Sequence, residues 1–332
     1  MMDPFVLIVI VVAAALLFDF ANGWNDSANA IATVVSTRVL SPFKAVLLAG
    51  VLNFIGALLW TNVAKTIGGG LVEPGMVTQT VVLAAMLSAF VWVAVMTLAG
   101  LPISGSHSLI GAIVGTALFS HGWDVVQMGG LKKVFWALLI SPIAGLVLGF
   151  AIMAIIMHIF KRTPASMVNR LFGKLQLVSV SFMALSHGTN DAQKVMGVIT
   201  IALFSGGYIA TIDVPLWVKI ACAVTMGVGT MAGGWRVIKT MGMKLSKIQP
   251  VHGFAAETAA SIVLIGAAHL GAPVSTTHTI TSSIMGVGAT KRLSAVKWGI
   301  GMKIIYAWIF TLPACGILGG VIYYILKGFV GE

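Results

Sequence analysis

The chain reads as an all-α polytopic membrane protein: two inverted five-pass repeats with broken or re-entrant helices, about ten passes, both termini outside. Three observations predict this. First, of 332 residues 58% are hydrophobic and 9% charged, with a mean hydropathy of +1.02. Soluble domains carry about 25% charged residues, so a water-soluble core cannot absorb this composition. Second, ten apolar stretches lie between polar breaks, each with about the 20 residues that a helix needs to cross a bilayer, or more. Third, several sequence blocks of the first half return in the second.

The stretches run in order. Residues 4–37 form a long segment interrupted by polar residues, and 43–64, 76–99, 101–120 and 134–160 complete a first repeat over 1–160. Residues 161–174 hold Lys161, Arg162, Arg170 and Lys174 and read as a basic cytoplasmic linker. The second repeat, 175–332, contains 175–204, 216–235, 250–270, 272–290 and 304–326. An odd number of passes per half turns the second half upside down relative to the first. With the N-terminus outside, most of the 20 basic residues fall in inner loops, and Asp3, Glu73, Asp124, Asp213 and Glu332 in outer ones, as the positive-inside rule requires. The start carries no basic n-region, so the first stretch is expected to remain as a helix. Multi-pass insertion in a membrane follows, with the plasma membrane as the expected location.

Composition also excludes classes. The net charge of +11 is spread over loops beside apolar helices, so it reports topology and not nucleic-acid binding. Cys222 and Cys315 lie in apolar runs, which removes disulfide and Cys-metal frameworks. No His-Glu-x-x-His or Gly-x-Ser-x-Gly occurs, so no hydrolase and no enzyme is expected. No cofactor and no fixed metal site are expected either.

Four acids remain within the apolar stretches: Asp19, Asp26, Asp191 and Glu257. Intramembrane acids are costly and mark function by default. Asn25-Asp26 returns as Asn190-Asp191 at a shift of 165, and Leu101 to His107 returns as Ala272 to His278 at a shift of 171. Duplicated intramembrane motifs in opposed halves suggest a secondary transporter with its site at the repeat interface. The polar run Asn22 to Asn29 is expected to break its helix, freeing carbonyls that hold a cation beside Asp26 or Asp191. In the second motif, Pro102 and Pro273 are expected to open helices at their first positions. Ser104, Gly105, Ser106 and His107, with Ser275, Thr276, Thr277 and His278, then form an oxyanion cradle of hydroxyls and free N–H groups. Phosphate and sulfate both fit such a cradle. A carboxylate acceptor such as Glu257 beside the anion favours phosphate, which can still donate a hydrogen bond. Pro142 and Pro313 are expected to kink the last helix of each repeat.

Asn22 to Asn29 and His187 to Asp191 resemble the two Gly-x-Asn-Asp motifs of the inorganic phosphate transporter (PiT) family, and the likeness extends to Gly253–Thr258 and Pro273–His278. The resemblance implies phosphate import by cation symport through alternating access, with the lipid bilayer and inorganic phosphate as partners. It puts Asp26 and Asp191 at coupling positions and matches Glu257 to an acid implicated in transport; Asn25, Asn29, Asn190 and Lys194 beside them complete the expected ion-coupling set. It also implies Asn53 as the first-half counterpart of Glu257. Lys194 stands where many sodium-coupled members have Asn; paired with Asp191, it supplies a fixed cation. A co-transported proton, or a divalent metal carried as metal-phosphate with a proton, is therefore expected ahead of sodium. An oxyanion permease for sulfate and a sodium-coupled phosphate symporter are the alternatives, and a homodimer is the assembly kept open.

Overall fold

The computed structural model describes residues 3–330. All ten expected segments are helical, and the helices are α1 (Pro4–Ser36), α2 (Pro42–Ala57), α3 (Asn62–Gly70), α4 (Gln79–Ala99), α5 (Gly105–His121) and α6 (Met128–Ile159) in the first half. The second half contains α7 (Ala165–Ser205), α8 (Leu216–Ala232), α9 (Trp235–Lys239), α10 (Pro250–His269), α11 (Thr276–Ala289) and α12 (Trp298–Val330). A π-helical turn, Thr240–Lys244, extends α9.

Five of these helices, α1, α4, α6, α10 and α12, are each long and apolar enough to cross a membrane. Two bent pairs raise that number to seven, α2 with α3 at 68° and α8 with α9 and its π turn at 60°. Helices α5 and α11 have 17 and 14 residues. At 1.5 Å per residue they reach about 25 and 21 Å, short of the ~30 Å hydrocarbon core. Each follows an extended Pro-containing stretch, the shape of a re-entrant hairpin.

The breaks are not where the polar motifs suggested. Helix α1 continues unbroken through Asn22–Asn29, and α7 through His187–Lys194. In both helices the backbone satisfies itself, and one polar stripe on each turns toward the other across the α1–α7 contact. Pro102 and Pro273 also fall short of the expected first helical positions. Ser104 and Ser275 cap α5 and α11 instead, accepting from the backbone N–H of His107 (3.1 Å) and His278 (3.2 Å). Pro142 and Pro313 do lie inside α6 and α12.

Packing is reciprocal between halves. Helix α1 lies against α4 and α8, while α7 lies against α10 and α2; α5 runs along α12 and α11 along α6. Close approaches repeat as well. A Cβ at Gly56 of α2 would stand 2.2 Å from the Leu185 carbonyl oxygen of α7, and one at Gly229 of α8 2.4 Å from that of Phe20 on α1. Substituting Gly56 by Ala is expected to cost about 1–3 kcal/mol of overpacking, read as an unfolding midpoint lower by about 2–6 °C in detergent. An unchanged midpoint would contradict the close approach.

Candidate functional site

The centre of the molecule is built on α1 and α7. Polar residues at 19, 22, 26, 29 and 33 share one face of α1, and those at 176, 179, 187, 191 and 194 share one face of α7, the spacing of a helical stripe. The two stripes run antiparallel. Asn22 Nδ2 donates to Asp191 Oδ2 (3.3 Å), while at the other end Thr37 Oγ1 donates to Gln176 Oε1 (2.8 Å).

Asp26 and Asp191 are both buried, and the start of α11 joins them. Thr276 Oγ1 is within hydrogen-bond reach of Asp26 Oδ2 (3.3 Å) and Asp191 Oδ2 (3.1 Å), and Thr277 Oγ1 donates to Asp26 Oδ1 (2.9 Å). Asn29 Nδ2 donates to the hydroxyls of Thr276 (3.3 Å) and Thr277 (3.0 Å). Lys194, buried one turn after Asp191, donates to its carboxylate. Residues expected for ion coupling and for the cradle thus meet in one cluster, although Asp26 and Thr276 lie 250 residues apart.

His187 completes the cluster, and its wiring constrains the chemistry. Asn53 Nδ2 donates to the Ala49 carbonyl (2.8 Å), which leaves Asn53 Oδ1 as an acceptor for His187 Nδ1 at 2.6 Å. Nδ1 is therefore the protonated nitrogen. Nε2 has no hydrogen-bond partner among the described residues and faces Asp191 Oδ2 at 3.4 Å and Asp26 Oδ2 at 3.8 Å. In neutral imidazole this would aim a lone pair at two carboxylates. A proton or a cation between them removes the conflict. Asp26, His187 and Asp191 bring donor atoms within 4.8 Å of one another, a grouping able to receive a metal ion.

Other expected site residues face elsewhere. Asn25 Nδ2 donates to Thr97 Oγ1 (2.8 Å) and the Leu101 carbonyl (3.3 Å), and Asn190 Nδ2 to the Leu264 carbonyl (2.9 Å). These two tie α1 and α7 to their neighbours. Ser106 Oγ donates to the Val274 carbonyl (2.8 Å), pinning one hairpin to the other. Gly105 admits Asn22, whose Oδ1 lies 1.7 Å from where a Cβ would stand. His107 and His278 meet edge to face with centroids 4.5 Å apart, and His278 stacks on Trp308 at 3.7 Å. Both rings fill an aromatic stack.

Glu257 sits apart from the central carboxylates. It accepts from Gln176 Nε2 (2.9 Å) and from the hydroxyls of Thr33 and Ser179. Thr33 is seven residues beyond Asp26 on α1, a rise of about 10 Å, so Glu257 is not the acceptor beside a centrally bound anion. Nor does the fold pair it with Asn53. Glu257 lies on α10, which packs on α7 as α4 packs on α1, and the shift of 171 that matches the hairpins matches Glu257 to Met86 on α4. Asn53, on α2, orients His187 instead.

Reading residues by motif overlooked Thr33, Gln176 and Ser179, left His187 without a role and gave Asn53 a different one from its contact with His187. The helical stripe is the signal that finds all but Asn53, whose role only tertiary contact reveals. Asp19, first on the stripe, is buried, and neither carboxylate oxygen has a hydrogen-bond partner among the described residues.

The profile of the phosphate transporter family matches residues 22–319. The chain is 44% identical over 325 residues to the "Probable low-affinity inorganic phosphate transporter" of Bacillus subtilis (strain 168), covering 97% of this chain and 98% of that one. A relative of the same description from Rhizobium meliloti (strain 1021) is 46% identical over 322 residues, covering 96% of each chain. A solved chain described as "The sodium-dependent phosphate transporter" superposes with a TM-score of 0.89 at 22% identity, over 97% of this chain and 99% of that chain, a likeness of fold.

Proposed function

The chain belongs to the phosphate transporter family, whose members are multi-pass membrane transporters and not enzymes, and from that premise we propose that it imports inorganic phosphate across the plasma membrane by cation symport. Transport runs by alternating access of the two inverted repeats, with a proton, or a divalent metal bound to phosphate together with a proton, ahead of sodium as the coupling ion.

The observation that carries the coupling is the geometry of His187. With Nδ1 committed to Asn53 and Nε2 facing two carboxylates, the centre has a place for one positive charge beyond Lys194. Counting Asp26, Asp191 and Lys194, and taking imidazole as neutral, the cluster carries −1. A phosphate near −2 is repelled by about 4 kcal/mol per pair of unit charges at 4 Å and an effective dielectric of 20. The accompanying cation cancels that repulsion, so it enters as part of the loaded complex. Lys194 already occupies one cation position, which supports a proton over sodium.

Phosphate is favoured over sulfate on acceptor chemistry. Asn22 Oδ1 and Asn29 Oδ1 are buried without partners among the described residues, and Asp26 presents a carboxylate. Phosphate can donate to such acceptors near neutral pH and sulfate cannot. The deciding experiment is uptake and counterflow of labelled phosphate in proteoliposomes, under a proton gradient alone or a sodium gradient alone, each with and without magnesium. Accumulation driven by the proton gradient is expected; accumulation driven by sodium alone would reverse the choice of ion. Competition by sulfate as strong as by phosphate would overturn the choice of anion.

Glu257→Gln separates coupling from architecture. If Glu257 carries a proton, accumulation is expected to drop by about tenfold or more, ~1.4 kcal/mol, while phosphate counterflow at equal concentrations continues. An equal loss in both assays would make Glu257 a structural acceptor for Thr33, Gln176 and Ser179.

A further inference from the structure

Helix α4 joins two differently built ends. Near its start, Glu73 accepts from Gln127 Nε2 (2.9 Å). Near its end a cavity of about 420 Å³ opens between the α4–α5 turn, α9 with its π turn, and α12. Arg236, Lys239, Lys244 and Lys303 line it, over a floor that includes Gly100, Leu101 and Thr240. The 21 residues of α4 put these two ends about 31 Å apart, a membrane thickness.

None of the four bases forms an ion pair among the described residues. Arg236 donates to the Leu98 carbonyl and so covers the carbonyl end of α4. The three lysine heads keep their full donor capacity. The floor is tightly made: Gly100 adopts φ 72°, and Thr240 Oγ1 donates to its carbonyl at 2.9 Å. The next carbonyl, that of Leu101, accepts from Asn25 at 3.3 Å.

Positive-inside topology explains basic residues at one face but not their convergence on one cavity. The matched turn between α10 and α11 is a control within the molecule. There the Gly271 carbonyl accepts from Thr66 Oγ1 (2.7 Å) and the Leu270 carbonyl from Lys133 Nζ (3.4 Å). Lys65 nearby on α3 is paired with Asp213 at 3.0 Å, and that lysine holds the Asp213 carboxyl below its ordinary value. The repeat therefore does not impose four free cations at such a turn.

Phosphate oxygens are the natural partner of an Arg and several lysines. Two sources could supply them, a lipid headgroup or free phosphate. The apolar part of the lining, Leu101, Ile300 and Ile304, and the exposed Leu98, Trp235 and Met302 alongside suit a molecule with a hydrocarbon end. We infer that this cavity binds the phosphate group of an anionic membrane lipid and thereby braces the α4–α5 turn beside Asn25.

The test uses the full chain, purified and delipidated in detergent, with its unfolding midpoint followed by thermal shift. Addition of cardiolipin or phosphatidylglycerol is expected to raise the midpoint by about 3–5 °C over the same amount of phosphatidylcholine. In a Lys239→Gln, Lys244→Gln, Lys303→Gln triple variant that excess should vanish. A second triple variant on basic residues outside the cavity, Lys291→Gln, Arg292→Gln, Lys297→Gln, should retain it. Equal stabilisation by phosphatidylcholine, an unchanged excess in the first triple variant, or equal loss in both would overturn the inference. Protection by inorganic phosphate alone that displaces the lipid and disappears in the first triple variant would assign the cavity to free phosphate and overturn the lipid reading.

Discussion

Asp26→Asn is expected to abolish ion-driven accumulation of phosphate, by about two orders of magnitude or more, while leaving a folded protein that still exchanges phosphate down its gradient. The amide keeps the size of the carboxylate and can still accept from Thr277, which now donates to Asp26 Oδ1 at 2.9 Å. What disappears is the charge. Without it the cluster of Asp191 and Lys194 is neutral, and an incoming phosphate no longer needs a cation to offset repulsion of about 4 kcal/mol per unit pair, a factor near 10³ in binding. Coupling is lost before binding is. Proteoliposome uptake under a proton gradient, compared with counterflow at equal concentrations, reads the two separately. Accumulation at the wild-type level would refute the proposed role of Asp26.

Lys194→Gln has the second large effect, and it acts on stability as well as on ion choice. The lysine is buried and donates to a buried carboxylate one turn away. Breaking a buried pair by removing one partner costs about 3–5 kcal/mol, because the remaining charge is stranded. The unfolding midpoint should drop, and Lys194→Gln with Asp191→Asn should recover much of it, the sign of coupling in a double-mutant cycle. Uptake by the single variant should lose its proton drive and become stimulated by sodium, since Asp191 then lacks its built-in cation. Additive losses in the double variant would show that the pair contributes nothing as a pair. Proton-driven uptake unaffected by the substitution would remove Lys194 from the choice of ion.

Much of this was legible in the chain. The membrane class follows from apolar composition alone, and the duplicated Asn-Asp and hairpin blocks identify the elements that carry the site. The expected helix breaks at those blocks were misplaced for a definite reason. Asn, Asp and Gly lower helix propensity by under about 1 kcal/mol each, whereas an unpaired backbone group in an apolar medium costs several. A helix that turns its polar side chains toward a partner stripe satisfies both demands, so α1 and α7 continue. The bends occur instead at Leu58–Thr61 and Gly233–Gly234, where none of the expected coupling residues lies.

Motif membership also overstated which residues act together. Asn25 stands next to Asp26 in sequence, yet consecutive helical positions differ by about 100°, and the two face different neighbours. Asn25 ties α1 to Thr97 and Leu101 while Asp26 meets Thr276 and Thr277. Glu257 and Asp26 are both intramembrane acids, but two turns of α1 separate their surroundings.

The sequence by itself determined the solvent in which this protein folds, its helical class and the identity of its costly charges, because those depend on local hydrophobicity and on the price of burying charge. Tertiary structure alone decided that His187 faces both carboxylates, that Asn53 fixes its proton, that Glu257 stands apart, and that four bases share one cavity. Each is a contact between helices remote in sequence, and such contacts depend on rotation and register of packed helices that no single stretch of chain encodes.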